Sequence, residues 1–166
     1  VGRQFNVRGF PTMVVVGNGK VQAANVGNIG DLETRLKGQL DALIAGKDIA
    51  AARPSAPSGA GAKSAPTDWV GHEAPKFSLK TNDGKTVSSK DLSEVKATVL
   101  NFWAPNCGFC KKQIPRVDTV SKDYEGKPVR FIQVKETMGR EYSDEDALKT
   151  LADVGVKDVV LAADPG

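Results

Sequence analysis

Cys107 and Cys110, the two cysteines of the chain, stand two residues apart in the stretch FWAPNCGFCKKQIP. Thiols at that spacing can form a redox couple, supply half of a metal site, or sit as a structural pair. Zinc takes four ligands, and His72 is the single histidine of the chain, so a complete site would require a second chain. A structural disulfide closing so short a loop would constrain little of the unfolded chain. A redox couple needs one thiol that is exposed and has a lowered pKa, because the thiolate is the attacking species. The local pattern offers this. A near-continuous apolar run, ATVLNFW, reads as a buried central strand, and a helix is expected to begin near Cys107 and run through Lys111 and Lys112 towards Tyr124, with Pro115 inside it as a kink. The unpaired N–H groups and positive dipole end of such a helix favour a thiolate at Cys107. Cys107 is therefore read as the nucleophile and Cys110, one helical turn later, as the resolving thiol. The metal-site and structural readings stay open at this stage.

The elements that must hold this pair fall into two blocks. Ala, Pro, Ser and Gly dominate residues 49–66, which read as a linker between a short block, 1–48, and a long block, 67–166. In the short block, TMVVVGNGKVQAANVG reads as a hairpin turning at Asn18-Gly19. A helix follows, with Asp31 as N-cap, leucines at 32, 36, 40 and 43, and Gly46 as its stop. Two strands and a helix cannot enclose a core, so this block must dock elsewhere. The long block gives a hairpin, KFSLKTNDGKTVSS, then strand, helix, the strand VRFIQVKE, a helix capped by Ser143 or Asp144, and the strand DVVLAAD. That order implies a parallel or mixed sheet.

Lys and Arg outnumber Asp and Glu by 23 to 20 and are scattered, so no basic stripe recommends a nucleic acid or an anionic membrane. No apolar run of about 18 residues exists to span a bilayer, and no leader resembles a signal peptide. The chain begins at Val1 without a Met and ends on AADPG, so both ends read as cut from something longer.

Strand, then Trp-Ala-Pro-x-Cys-x-x-Cys, then a helix with a proline five residues after the second cysteine, resembles the thioredoxin superfamily. The preceding GHEAPKFSLKTNDGKTVSSKDL resembles the N-terminal hairpin of its TlpA/ResA-like branch of extracytoplasmic thiol-disulfide oxidoreductases, and FNVRGFPTMVVVGNGKVQAANVG is similar to the segment that opens at a cis-proline facing the active site. The resemblance implies an α/β fold, with a thioredoxin-like mixed central sheet flanked by helices. The family's C-terminal half comes first here, which implies a circular permutant or a window from a tandem array. About 18 residues of linker reach on the order of 60 Å, enough to pass around a small domain. Residues 1–48 and 67–166 are thus expected to form one domain, with Met13, Val15, Leu36 and Leu40 buried against Leu100, Phe102 and Ile132, and Pro11 near Cys107.

The resemblance further implies a cis Phe10-Pro11 bond and substrate contacts from Phe10, Pro11, Trp103, Asn106, Gly108 and Phe109, with Trp103 also packing beneath the pair. Asn101 and Gln113 stand where relatives carry acids, so proton transfer falls to water or another group. Asn106 replaces a usual Trp. Trp69 is expected as a packing anchor and His72 as a surface residue far from the cysteines. The favoured function is a thiol-disulfide oxidoreductase, a reductant acting on protein thiols and disulfides in an extracytoplasmic, oxidising compartment and recharged by an upstream redox partner. No cofactor, metal, nucleic acid or membrane contact is implied, and the chain is expected as a monomer or swapped dimer. The alternatives are a binding module for a metal such as copper or for a protein partner, and a peroxidase, suggested by the APKFSL opening.

Overall fold

The computed structural model describes residues 1–50, 65–137 and 140–164. Three valines make Thr12–Gly17 (β1) a strand, and Asn18 and Gly19, with φ of 53° and 73°, turn it back into Lys20–Val26 (β2). Positive φ at both central residues is what a two-residue hairpin turn of matching twist requires. A bulge between Val15 and Val16 interrupts the pairing, which the alternation did not foretell. Helix α1, Leu32–Ile44, buries all four of its leucines. Asp31 occupies the N-cap position without a capping hydrogen bond, its carboxylate lying 3.3 Å from Arg35 instead. The helix ends as expected: Gly46 has φ of 80°, the Gly46 N–H donates to Leu43 and the Lys47 N–H to Ala42, the double bond of a glycine-terminated helix.

The long block supplies β3 (Ser78–Thr81), β4 (Thr86–Ser88), β5 (Ala97–Trp103), α2 (Gly108–Asp123), β6 (Val129–Lys135), α3 (Asp144–Asp153) and β7 (Leu161–Ala163). Ser143 caps α3, its hydroxyl accepting from the Asp146 N–H at 3.0 Å. One mixed seven-stranded sheet results, in the order β2-β1-β5-β6-β7-β3-β4. β5, β6 and β7 run parallel, and β1 pairs antiparallel with β5, Thr12 opposite Phe102. The short block thus adds two strands to the edge of the long block's sheet.

Alternation along β1 decides which core each residue enters. Met13 and Val15 pack with the α1 leucines, Val99, Val117, Val120 and Tyr124. Val14 and Val16 face the other way, onto Leu100, Phe102, Ile132, Phe5 and Phe77. The expected burial of Met13, Val15, Leu36 and Leu40 is found, but their expected partners Leu100, Phe102 and Ile132 lie on the opposite face. In the observed register Met13 stands beside Asn101 and Val15 beside Val99, and a period of two sends neighbouring residues to opposite sides. Phe5, fully buried, packs in tilted contact with Phe77 and Phe102, with ring centroids 5.8 and 6.0 Å away.

Side chains across the two blocks reinforce this docking. The Arg116 guanidinium of α2 donates to both Glu33 carboxylate oxygens, at 2.7 and 2.6 Å, and to the carbonyls of Ile29 and Gly30. The Tyr124 hydroxyl donates to Asp41 at 2.6 Å, and Lys37 pairs with Asp123 at 2.5 Å.

His72, expected at the surface, is buried at 6% exposure. Its segment is clamped along the outer edge of β2, where the Val21 N–H donates to the His72 carbonyl and the Gly71 N–H to that of Val21. Trp69, in the short 3-10 helix Pro66–Trp69, packs against the Phe5 and Phe77 cluster as an anchor. Of the expected linker, residues 51–64 lie outside the described residues. Its flanks are docked: Gln22 Oε1 accepts from the N–H groups of Ile49 and Ala50, and Pro66 is buried.

Candidate active site

β5 carries the chain through the middle of the sheet and releases it at Trp103; the Cys107 N–H donates to the Ala104 carbonyl at 3.0 Å, closing a turn into α2. Cys107 is the N-cap of α2, in extended conformation, and its sulfur accepts from the Cys110 N–H at 3.2 Å. A sulfur there occupies the place of a capping oxygen, facing donors that have no partner within the helix. The structure holds Cys107 and Cys110 as a disulfide, with Cα atoms 5.2 Å apart. Cys107 retains 7% exposure and Cys110 none, so Cys107 is the one of the pair with any surface open to solvent.

Beneath the pair lie Trp103, Ala104 and Ile114, with Ala147 and Leu151 of α3. Trp103 is fully buried, which corrects its expected substrate contact: it supports the pair from below and presents no surface. Asn106, Gly108 and Phe109 are exposed, Phe109 at 63%. The Lys112 ammonium lies 6.0 Å from the centre of the Phe109 ring.

The Phe10-Pro11 bond is cis. Pro11 is buried at the start of β1, its carbonyl accepting from the Gly27 N–H at 2.8 Å, while the Thr12 hydroxyl donates to the Gly9 carbonyl at 2.8 Å. Phe10 packs on the cluster that contains both cysteines. The pairing of Thr12 with Phe102 brings Pro11 to the end of the sheet from which the cysteine loop leaves.

Asn101 and Gln113 are both buried and joined to a third amide. Gln113 Nε2 donates to Asn101 Oδ1 at 3.2 Å, and Asn101 Nδ2 donates to Gln133 Oε1 at 2.8 Å. Gln133 was not singled out from the sequence; its place beside Asn101 comes from the parallel register of β5 and β6. The chain of amides behind the helix carries no charge. At the end of β6, the Glu136 N–H donates to the Trp103 carbonyl, and burial, then the neighbouring Asp164 carboxylate, push the Glu136 carboxyl up to about 8. Nothing in the sequence around Glu136 signals that shift, which comes first from burial and then from Asp164 folding back beside it.

Among the described residues, no group of three or more His, Cys, Asp or Glu side chains is arranged to hold a metal ion. No helix among them is long and apolar enough to cross a membrane.

The site's geometry can be set beside known proteins. Residues 70–160 match the AhpC/TSA family model. The thioredoxin-like protein YneN of Bacillus subtilis is 40% identical over 57 residues, covering 34% of this chain and 33% of that protein. The thiol-disulfide oxidoreductase ResA of Bacillus thuringiensis strain Al Hakam is 36% identical over 63 residues, covering 38% of this chain and 36% of that protein. Among solved structures, the thiol:disulfide interchange protein DsbE of Chlorobium tepidum is 29% identical, with a TM-score of 0.45 over 55% of this chain and 60% of that one. The matches to YneN and ResA span about a third of those proteins' length. The family model, by contrast, takes in more than half of the chain, including β5, both cysteines and α2, and by that match the chain belongs to the AhpC/TSA family, a thioredoxin-like family.

Proposed function

We propose that the protein is a thiol-disulfide oxidoreductase in which Cys107 is the nucleophile and Cys110 the resolving thiol. The observation that carries this reading is the Cys107 sulfur at the N-cap of α2, accepting from the Cys110 N–H while bridged to Cys110. In the reduced protein the same donor and the helix dipole stabilise a Cys107 thiolate. That thiolate attacks one sulfur of a protein disulfide, breaking the S–S bond and releasing the other sulfur as a thiolate that takes a proton from water. The Cys110 thiolate then attacks Cys107 of the mixed disulfide, the second substrate sulfur leaves, and the protein ends as the disulfide while the substrate has gained two electrons. A dithiol reductant upstream returns the pair to thiols. The name of ResA, a thiol-disulfide oxidoreductase, supports the exchange chemistry; that the protein acts as a reductant in an extracytoplasmic compartment is carried over from the family resemblance. Phe10, Pro11, Asn106, Gly108 and Phe109 supply the substrate surface, and Trp103 supports it from beneath.

With Asn101 and Gln113 neutral, the proton of Cys110 is taken up by water or by another group. The domain is read as two blocks, 1–48 and 67–166, in permuted order around a linker at 49–66. Pairing of β1 with β5, and the Asp164 carboxylate held by the Val1 amine and the Gly2 N–H, support that reading, because the outer ends of the two blocks meet.

The test is insulin reduction together with trapping. Wild-type protein should reduce insulin, Cys110→Ser should accumulate mixed disulfides through Cys107, and Cys107→Ser should do neither. Activity surviving Cys107→Ser would reverse the roles. Loss of all exchange with tight retention of copper or zinc by the reduced protein would point to the binding module instead.

A further inference from the structure

Phe109 stands between the two cysteines and is the most exposed of the large apolar side chains among the described residues, at 63%. A phenylalanine left in water forgoes the stabilisation that burial would contribute, and this ring belongs to none of the core clusters. Two cations follow Cys110 directly. Lys111 and Lys112 are exposed and, among the described residues, neither forms an ion pair; the Phe109 ring lies 6.0 Å from the Lys112 ammonium. The opposite end of the same helix differs, with Lys122 paired to Asp118 at 2.7 Å and Asp123 to Lys37. Cations at a helix N-terminus oppose the helix dipole, so helix stability does not account for the two lysines. The first turn of α2 contains no acidic residue to neutralise them. Two carboxylates that open neighbouring helices at this end of the sheet are engaged elsewhere, Glu33 by Arg116 and Asp144 by Lys135.

A shallow groove of about 250 Å³ lies at the residues that flank Pro11, lined by Arg8, Thr12, Val26 and Pro66, with Val26 half-exposed.

We propose that the surface around Phe109 selects protein segments in which a large apolar residue and a carboxylate flank the reacting cysteine. The inference rests on the oxidoreductase reading of Cys107 and adds the class of substrate to it. The apolar residue packs on Phe109 while the carboxylate meets Lys111 or Lys112, a contact made before the sulfurs react and therefore expressed in the rate of encounter. The exchange step itself is unchanged: the Cys107 thiolate displaces one sulfur of the substrate disulfide, and the leaving thiolate takes a proton from water.

The test uses the reduced full chain and two synthetic peptides, each carried as a mixed disulfide with mercaptoethanol. Both have phenylalanine beside the cysteine; one has Asp and Glu flanks and the other Lys and Arg. The readout is the ratio of their second-order rate constants within each protein, because a change in Cys107 thiolate content alters both rates alike and cancels. The acidic peptide should react on the order of tenfold faster, and the gap should narrow in about 0.5 M salt as screening shortens the reach of the charges. Lys111→Glu with Lys112→Glu should invert the ratio. Lys111→Gln with Lys112→Gln, which removes charge without adding any, should bring it near unity. A third peptide, acidic but with serine in place of phenylalanine, should react more slowly than the acidic phenylalanine peptide with the wild-type protein, and Phe109→Ser should abolish that difference. Equal rates for the two peptides in the wild-type protein, or a ratio that survives charge reversal, would overturn the substrate class while leaving the oxidoreductase reading intact. Failure to react with either peptide and with hydroxyethyl disulfide would overturn both.

Discussion

At the scale of single residues, the position of Cys107 between strand and helix was legible because it follows from local rules: an apolar run ends, a helix starts, and whatever stands between them caps the helix. The neighbours that matter to Cys110 were legible only in part. Asn101 and Gln113 could be recognised as unable to ionise, but their union through Gln133 depends on the register of two parallel strands, which no local pattern encodes. That amide chain makes a prediction of its own. Asn101→Leu leaves buried polar atoms of both Gln113 and Gln133 without partners, and an unsatisfied buried group costs about 1–3 kcal/mol; urea denaturation should show a loss of at least that size. Asn101→Asp would place a carboxylate against the neutral amides of Gln113 and Gln133, so its stability should fall further as pH rises and the new acid ionises.

Among elements, the helical leucine spacing and the β-branched run of β1 named the right structures, and the error lay in their facing. Met13 and Val15 were matched to Leu100, Phe102 and Ile132, whereas one step of register assigns those partners to Val14 and Val16. His72 was misread for a related reason: its burial comes from a segment lying along the β2 edge, a tertiary event. Two consequences can be measured. A Cβ added at Gly17 would stand 3.0 Å from both a Leu43 methyl and the Lys96 carbonyl, so Gly17→Ala should destabilise by about 1–3 kcal/mol through overpacking at the end of β1. The Arg116 and Glu33 pair ties α2 to the start of α1, and hydrogen bonds from the guanidinium, opposed by burial, lower the Glu33 carboxyl from 4.5 to about 2. A depressed folded-state pKa means that this stabilisation is complete above about pH 4.5 and is lost as pH falls towards 2. The Glu33 side chain is 37% exposed, so water screens the pair and its worth stays under about 1 kcal/mol. Glu33→Gln should flatten that part of the acid limb in a pH series of denaturation midpoints and leave the neutral range little changed in shape.

For the whole molecule, composition and block order were enough to expect that neither block stands alone, and the sheet joins them through β1 and β5. Cutting the chain between residues 51 and 64 should therefore leave two fragments that elute together and keep the insulin-reducing activity, while the long fragment by itself should lose its cooperative unfolding transition; two fragments that separate at micromolar concentration would show the permuted reading to be wrong. The proposed redox chemistry depends on this assembly, because the docked short block brings Pro11 to the cysteine end of the sheet and its α1 packs on α2, at whose N-cap Cys107 stands. Its most direct test is the rate of alkylation of each cysteine in the intact reduced protein as a function of pH, read by mass spectrometry of the labelled peptides. An N-cap thiolate at Cys107 predicts that Cys107 reacts first, with an apparent pKa clearly below the ~8.5 of a free thiol, and that Cys110 reacts slowly throughout. Faster labelling of Cys110, or two cysteines titrating together near ~8.5, would contradict it.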